Sequence, residues 1–156
     1  IGFISGRAEL ESSIRRMKGY RNALKLAGLP VDEALIVAGD YTTETAMQCA
    51  RELLGLKNPP TAIFASNDQS AMGVFQVARE AGLRIPDDLS VVGFDNIPEA
   101  GFIDLTTVDQ FLGEMGYIAT KMLIDLINGV PLTEKIHQVK TELVLRNSCK
   151  DLGKTI

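Results

Sequence analysis

Pro60-Thr61-Ala62-Ile63-Phe64-Ala65-Ser66-Asn67-Asp68-Gln69-Ser70-Ala71-Met72-Gly73-Val74-Phe75-Gln76-Val77-Ala78-Arg79-Glu80-Ala81-Gly82-Leu83 holds one complete strand-to-helix unit. Thr61–Ser66 is a short apolar run of strand length. Ser66 followed by Gln69 has capping-box spacing, which predicts Ser66 as the N-cap of the next helix. Ala71, Phe75 and Ala78 then recur at helical spacing and put an apolar stripe on one face. Gly82 stands where a left-handed C′ residue is wanted, and Leu83 is the apolar residue that packs back on the last turn.

The same pattern repeats on both sides of this unit. Further strand candidates are Ile1–Ser5, Leu35–Ala38, Leu89–Phe94, Thr106–Val108 and a long final one near Ile136–Leu145. Ile14, Met17, Tyr20, Leu24 and Ala27 mark a first helix; Ala46, Ala50, Leu53 and Leu54 mark a second. Leu112, Met115, Ala119, Met122 and Leu126 mark the last. Gly28-Leu29, Gly55-Leu56 and Gly129-Val130 repeat the Gly-apolar ending, and Pro30 and Pro131 bar continuation. The order is therefore β-α-β-α-β-α-β, an irregular stretch, then β-α-β. Such alternation predicts an α/β fold with a mostly parallel sheet flanked by helices. Asp95–Leu105 is the longest irregular stretch, and it leaves the carboxyl end of a strand, where open α/β sheets bind ligands.

The chain has 156 residues, with 16 Lys and Arg against 20 Asp and Glu, a net charge of −4. That length fits one globular domain. An acidic balance argues against nucleic-acid binding by these residues alone, because phosphate contacts need clustered cations. No stretch approaches the roughly 20 apolar residues of a membrane span, so no membrane partner is expected. Cys49 and Cys149 are far apart and form no CxxC, which points away from a disulfide scaffold and fits a cytoplasmic setting. The single histidine, His137, excludes a multi-histidine metal site and reads as a surface strand residue. The chain opens directly on an apolar strand without an initiator Met, and the expectation is that it is a piece of something longer.

No enzyme motif survives inspection. A P-loop, a GxGxxG turn after the first strand and a GxSxG elbow are all missing from the sequence. Asp40, Asp68 and Asp95 each follow a strand, where a carboxylate caps the next element as readily as it grips a ligand. No catalytic residue, metal or cofactor is expected.

Arg16-Met17-Lys18-Gly19-Tyr20-Arg21-Asn22-Ala23-Leu24 resembles the "R-x-x-G-Y/F-x-x-A-L" helix of the LacI/GalR transcriptional regulators. Gly39-Asp40-Tyr41, Pro60–Asp68, Gly82–Asp95 and Leu105–Gln110 are similar to four further motifs of that family, in the family's order. The Gly82–Asp95 block is the most specific of them. The resemblance implies a type I periplasmic-binding-protein-like effector domain of two α/β lobes behind a helix-turn-helix headpiece. It implies that residues 1–109 form the C-terminal lobe and that 110–156 supply a crossover helix and a final strand linking the lobes. The headpiece and most of the N-terminal lobe would lie outside this chain. It further implies a ligand-responsive repressor, a cytoplasmic homodimer. The effector would be a sugar or sugar derivative, with a purine as the second class, and operator DNA would bind through the headpiece. A periplasmic sugar-binding protein of an ABC transporter shares the fold and is the alternative.

Residue by residue, the resemblance assigns Arg16 and Asp95 to ligand hydroxyls or carboxylate, and Tyr41 to stacking. It also brings Asn67, Ser12, Ser13 and Gln110 to the ligand. The bland alternatives are an Arg16–Asp95 pair, a packing aromatic, a helix start at Asn67 and a hinge bond at Gln110. Met72 and Ile103 align with apolar dimer positions, against an alternative as core filler. Phe102-Ile103-Asp104 stand where the family commonly has a Pro, and Asp109 replaces a basic residue. Both departures border the site and bear on which ligand is taken.

Overall fold

A computed structural model describes residues 1–153. Strand β1 (Gly2–Ile4) leads into α1 (Glu11–Leu26), β2 (Ile36–Val37), α2 (Thr43–Leu54), β3 (Ala62–Ala65), α3 (Asp68–Glu80) and β4 (Ser90–Val92). A short helix α4 (Pro98–Phe102) interrupts the stretch expected to be irregular, started by Pro98 at its first position. Then come β5 (Thr107–Asp109), α5 (Leu112–Ile127) and β6 (Glu142–Val144).

The sheet order is β2-β1-β3-β4, all parallel. Strand β5 runs alongside the end of β4 through parallel bridges Val92–Thr106 and Asp95–Asp109, and β6 pairs with it antiparallel. Alternation along β1 sends neighbouring side chains to opposite faces. Phe3 packs with Tyr20 and Leu24 of α1, its ring stacked on Tyr20 at 4.9 Å. Ile4 joins the larger core with Ala50 and Leu53 of α2 and Val74 and Ala78 of α3. Helices therefore cover both faces of the sheet.

Helices α2 and α3 approach closely at Gly73, where a Cβ would lie 2.6 Å from the Thr43 carbonyl oxygen and 3.0 Å from the Ala46 Cβ. Gly28, Gly82 and Gly129 adopt the left-handed conformation expected of them. Leu29, Leu83 and Val130 donate back to Leu24, Ala78 and Asp125, closing the 6→1 bond of the Schellman motif. Gly55 differs: it stays right-handed, and its amide bonds back to Arg51 at 2.9 Å.

Three other expectations need correction. The N-cap of α3 is Asn67, whose Oδ1 accepts from the Ser70 amide at 2.9 Å. Ser66 is instead turned into the core, where its hydroxyl has no partner among the described residues. The last strand is three residues long, Glu142–Val144, because β5 offers only three residues to pair with. His137 lies outside any strand, near Glu134.

Helix α5 has an apolar stripe, yet no side chain of it is buried among the described residues; Leu112, Leu123, Ile124, Leu126 and Ile127 are all exposed. No described helix is long and apolar enough to cross a membrane.

Candidate functional site

The order β2-β1-β3-β4 reverses direction between β1 and β3, so the chain leaves these two strands toward opposite sides. In an open parallel sheet that switch point opens a crevice at the carboxyl ends of the strands. Six of the sequence candidates lie there: Ser12, Arg16, Tyr41, Asn67, Asp95 and Gln110.

Arg16 projects from α1 across the strand ends. Its Nη1 donates to the Ser66 carbonyl at 2.6 Å and its Nη2 to Asp95 Oδ1 at 3.2 Å. The guanidinium lies 4.0 Å from the centre of the Phe94 ring and 5.7 Å from that of Tyr41. Arginine stacks this way because its planar cation is weakly hydrated and attracted to the ring face. The pair is only partly exposed, so its charges are less screened than those of a surface ion pair.

Asp95 receives a second donor, Gln110 Nε2 at 2.6 Å, on the same oxygen. Burial pushes its carboxyl above the ordinary value; the Arg16 charge pulls it back, and the negative charge of Asp68 pushes it up again. Both Asp95 and Asn96 have positive φ, 118° and 53°, so the turn they form is held in a sparsely populated conformation.

Tyr41 also has positive φ, 75°, and its ring lies against Gly6 so closely that no Cβ fits there. Its hydroxyl is 3.1 Å from Ser12 Oγ, and its carbonyl accepts from Asn67 Nδ2 at 3.1 Å. Asn67 therefore caps α3 and holds the Tyr41 backbone at once. Asp40 orders the same loop from behind, accepting from the Thr42 amide and from the hydroxyls of Thr42 and Thr45. These bonds hold its carboxyl below the ordinary value. Ser13 is buried on α1, and its side chain makes no hydrogen bond to the other candidates among the described residues.

A cavity of 390 Å³ opens beside Asp95 between the α4 loop and the start of α5, lined by Asn96, Asp109, Phe111 and Glu114 among others. Asn96 donates to Asp109 at 2.8 Å and accepts from Arg146 at 2.8 Å, tying the Asp95 turn to the β5 and β6 region. Sequence reasoning missed this group and missed Phe94 and Gly6. Phe94 was findable, since it stands directly before Asp95 in the most specific motif; the Asn96–Arg146 link spans 50 residues and leaves no local signal. Met72 and Ile103 lie apart from these residues and line a separate surface cavity of 610 Å³ with Phe75, Leu83 and Ile85. No group of His, Cys, Asp or Glu suited to a metal occurs among the described residues.

Residues 1–149 match the family described as periplasmic binding protein-like domain. The chain belongs to that family. Among curated relatives it is 38% identical over 154 residues to the HTH-type transcriptional repressor CytR of Escherichia coli, covering 97% of this chain and 45% of CytR. It is 36% identical over 155 residues to the HTH-type transcriptional repressor PurR of Photobacterium profundum, covering 98% and 46%. The solved transcriptional regulator CelR–cellobiose complex superposes with a TM-score of 0.84 at 33% identity, over 94% of this chain and 46% of that one. Within the periplasmic-binding-protein-like family its likeness is therefore to LacI-type regulators, whose effector domains share its parallel sheet flanked by helices. The chain spans about half the length of the curated relatives it matches.

Proposed function

We propose that this chain is the ligand-sensing part of a transcriptional repressor, and that its effector is a sugar or sugar derivative held at the strand ends. The observation that carries this reading is the convergence of Arg16, Asp95 and Gln110 beside the Tyr41 ring. A polyol needs both donors and acceptors at fixed positions, and its C–H face suits an aromatic ring. Arg16 donates to ligand oxygens, Asp95 accepts from ligand hydroxyls, and Tyr41 stacks. Ser12 and Asn67 extend the polar lining beside Tyr41, and Ser13 is assigned by the resemblance alone. The cellobiose bound by CelR supports a sugar over a purine.

Residues 1–109 form one lobe. Residues 110–153 cross to a second lobe and return, and α5 lays its exposed stripe there; the last three residues of that expected segment lie outside the described residues. Effector contacts that differ between open and closed lobes shift operator affinity, typically by 1–3 kcal/mol. Operator DNA is bound by a headpiece outside this chain, in a cytoplasmic homodimer joined through Met72 and Ile103. The protein carries out no catalysis and needs no cofactor. The transporter reading gains no support from relatives that are transcriptional repressors.

The test is a thermal-shift screen of the full-length protein with sugars, sugar phosphates and purines. A ligand at about 100 times its Kd stabilises by roughly 2.7 kcal/mol, a shift of several degrees. We expect a shift with one sugar class, and Arg16→Ala to abolish both that shift and the effector response while sparing operator binding. A folded protein that shifts with no sugar, or an Arg16→Ala variant with unchanged sugar affinity, overturns the reading.

A further inference from the structure

Asp68 is the first residue of α3, and its side chain is completely buried. Three connections run from it to three separate segments. Its amide donates to the Phe94 carbonyl at 2.8 Å, at the exit of β4. Its Oδ2 accepts from the Ile97 amide at 2.9 Å, across the turn that carries Asp95 and Asn96. Its Oδ1 accepts from the Thr107 hydroxyl at 2.5 Å, on β5. Gly93 completes the arrangement: a Cβ at that position would overlap Asp68 Oδ1 and press on Leu105.

We propose that Asp68 is a positioning residue for the effector site, which fixes the Asp95–Ile97 turn against β5 and so joins the ligand-facing carboxylate to the strand that leads into the lobe crossover. This rests on the reading of Asp95 as a ligand contact. The turn needs an outside hold, because two consecutive non-glycine residues in it have positive φ. A helix-borne carboxylate supplies that hold with two acceptors of charge-assisted strength, on a rigid element, out of competition with water. Its third function is geometric. Thr107 is two residues before Asp109 and three before Gln110, so the same carboxylate that sets Asp95 also sets where Gln110 meets it. The charge of Asp68 reaches Asp95 as well, raising its affinity for a proton.

The test needs no ligand. Amide exchange of Ile97 and the carboxyl titration of Asp95 are read by NMR in the full-length protein for Asp68→Leu, Asp68→Asn and Thr107→Val. Leucine keeps the branching at Cγ in a larger side chain and loses both acceptors, so its effect is read together with that of Thr107→Val, which removes one donor at nearly constant volume. Ile97 exchange is then expected to speed up about tenfold or more relative to the remote Leu83 amide, as for loss of a buried bond to a charged group. Asparagine can turn its oxygen to Ile97 and its amide to the Thr107 hydroxyl. It is expected to restore slow exchange while lowering the Asp95 titration, because the neighbouring charge is gone. If Asp68 only fills space, leucine leaves Ile97 as protected as in the wild type, and the proposal falls; it also falls if asparagine exposes Ile97 as much as leucine does. Should Asp68→Leu fail to fold, Thr107→Val decides, since faster Ile97 exchange supports the tie to β5 and an unchanged rate overturns it. A wild-type protein that no sugar stabilises strikes the effector reading alone, because the exchange and titration signals are independent of it.

Discussion

Asp95 binds its proton more tightly in the folded chain than in the unfolded one, because burial outweighs the Arg16 charge. The sign of its pH dependence follows. A carboxyl raised on folding contributes stability that is fully present below its unfolded value and is lost as pH rises through the folded value. Glu80 and Asp88, held low by Arg51 and Arg84, act the other way and lose their contribution in acid. Comparison with Asp95→Asn isolates the one residue. Between pH 7 and about pH 4 the wild-type melting temperature is expected to rise relative to that of Asp95→Asn. A difference that stays flat over that range would show that Asp95 does not titrate there. At this scale the sequence was a good guide to residue types at strand ends and a poor guide to their pairings. Arg16, Tyr41, Asn67, Asp95 and Gln110 each follow or face an apolar run within a recognisable motif. Asp68 was visible only as one more carboxylate after a strand, since its partners Ile97 and Thr107 lie 29 and 39 residues away.

Between elements, a close constraint is the α2–α3 crossing. Both helices were legible from spacing, because small and apolar residues recur on the faces that meet. Their separation was not, since it is decided by what Gly73 lacks rather than by what it has. Gly73→Ala should gain roughly 1 kcal/mol of helix propensity and lose about 1–3 kcal/mol to overpacking against the Thr43 carbonyl and Ala46. The expected net is destabilisation, read as a lower urea midpoint with an unchanged slope. A higher midpoint would mean that α2 shifts without cost. Helix α3 also shows why the capping signal named the wrong residue. Ser66 and Asn67 are both good caps, and the bond goes to Asn67 because β3 carries Ser66 into the core before the chain turns.

Among the described residues, two of the open apolar surfaces lie in different places: the α5 stripe, and the cavity lined by Met72, Phe75, Leu83, Ile85 and Ile103. The first was legible as amphipathic period, and no side chain of it is buried among the described residues. The second falls where the homodimer reading puts its interface, with Arg79 and Gln76 at its edge. Met72→Glu would place a charge in that apolar contact. The dimer Kd is expected to rise by about tenfold or more, measured by sedimentation of the full-length protein, with melting of the separated subunits little changed. A dimer of wild-type affinity would move the interface elsewhere.

The ligand-free site already engages several of its polar groups in hydrogen bonds of its own. Arg16 is engaged by Ser66 and Asp95, Asp95 by Gln110, and Tyr41 by Ser12 and Asn67. On the proposed reading, a sugar entering this site would exchange one set of polar contacts for another, so the heat released per contact would be small. The surplus comes from covering the Tyr41 and Phe94 rings and the C–H face of the sugar. Titration calorimetry should therefore record a modest enthalpy with a clearly negative heat-capacity change. Arg16→Ala, which removes the donor to the ligand together with the internal partner of Asp95 and the Ser66 carbonyl, should leave no binding heat to record.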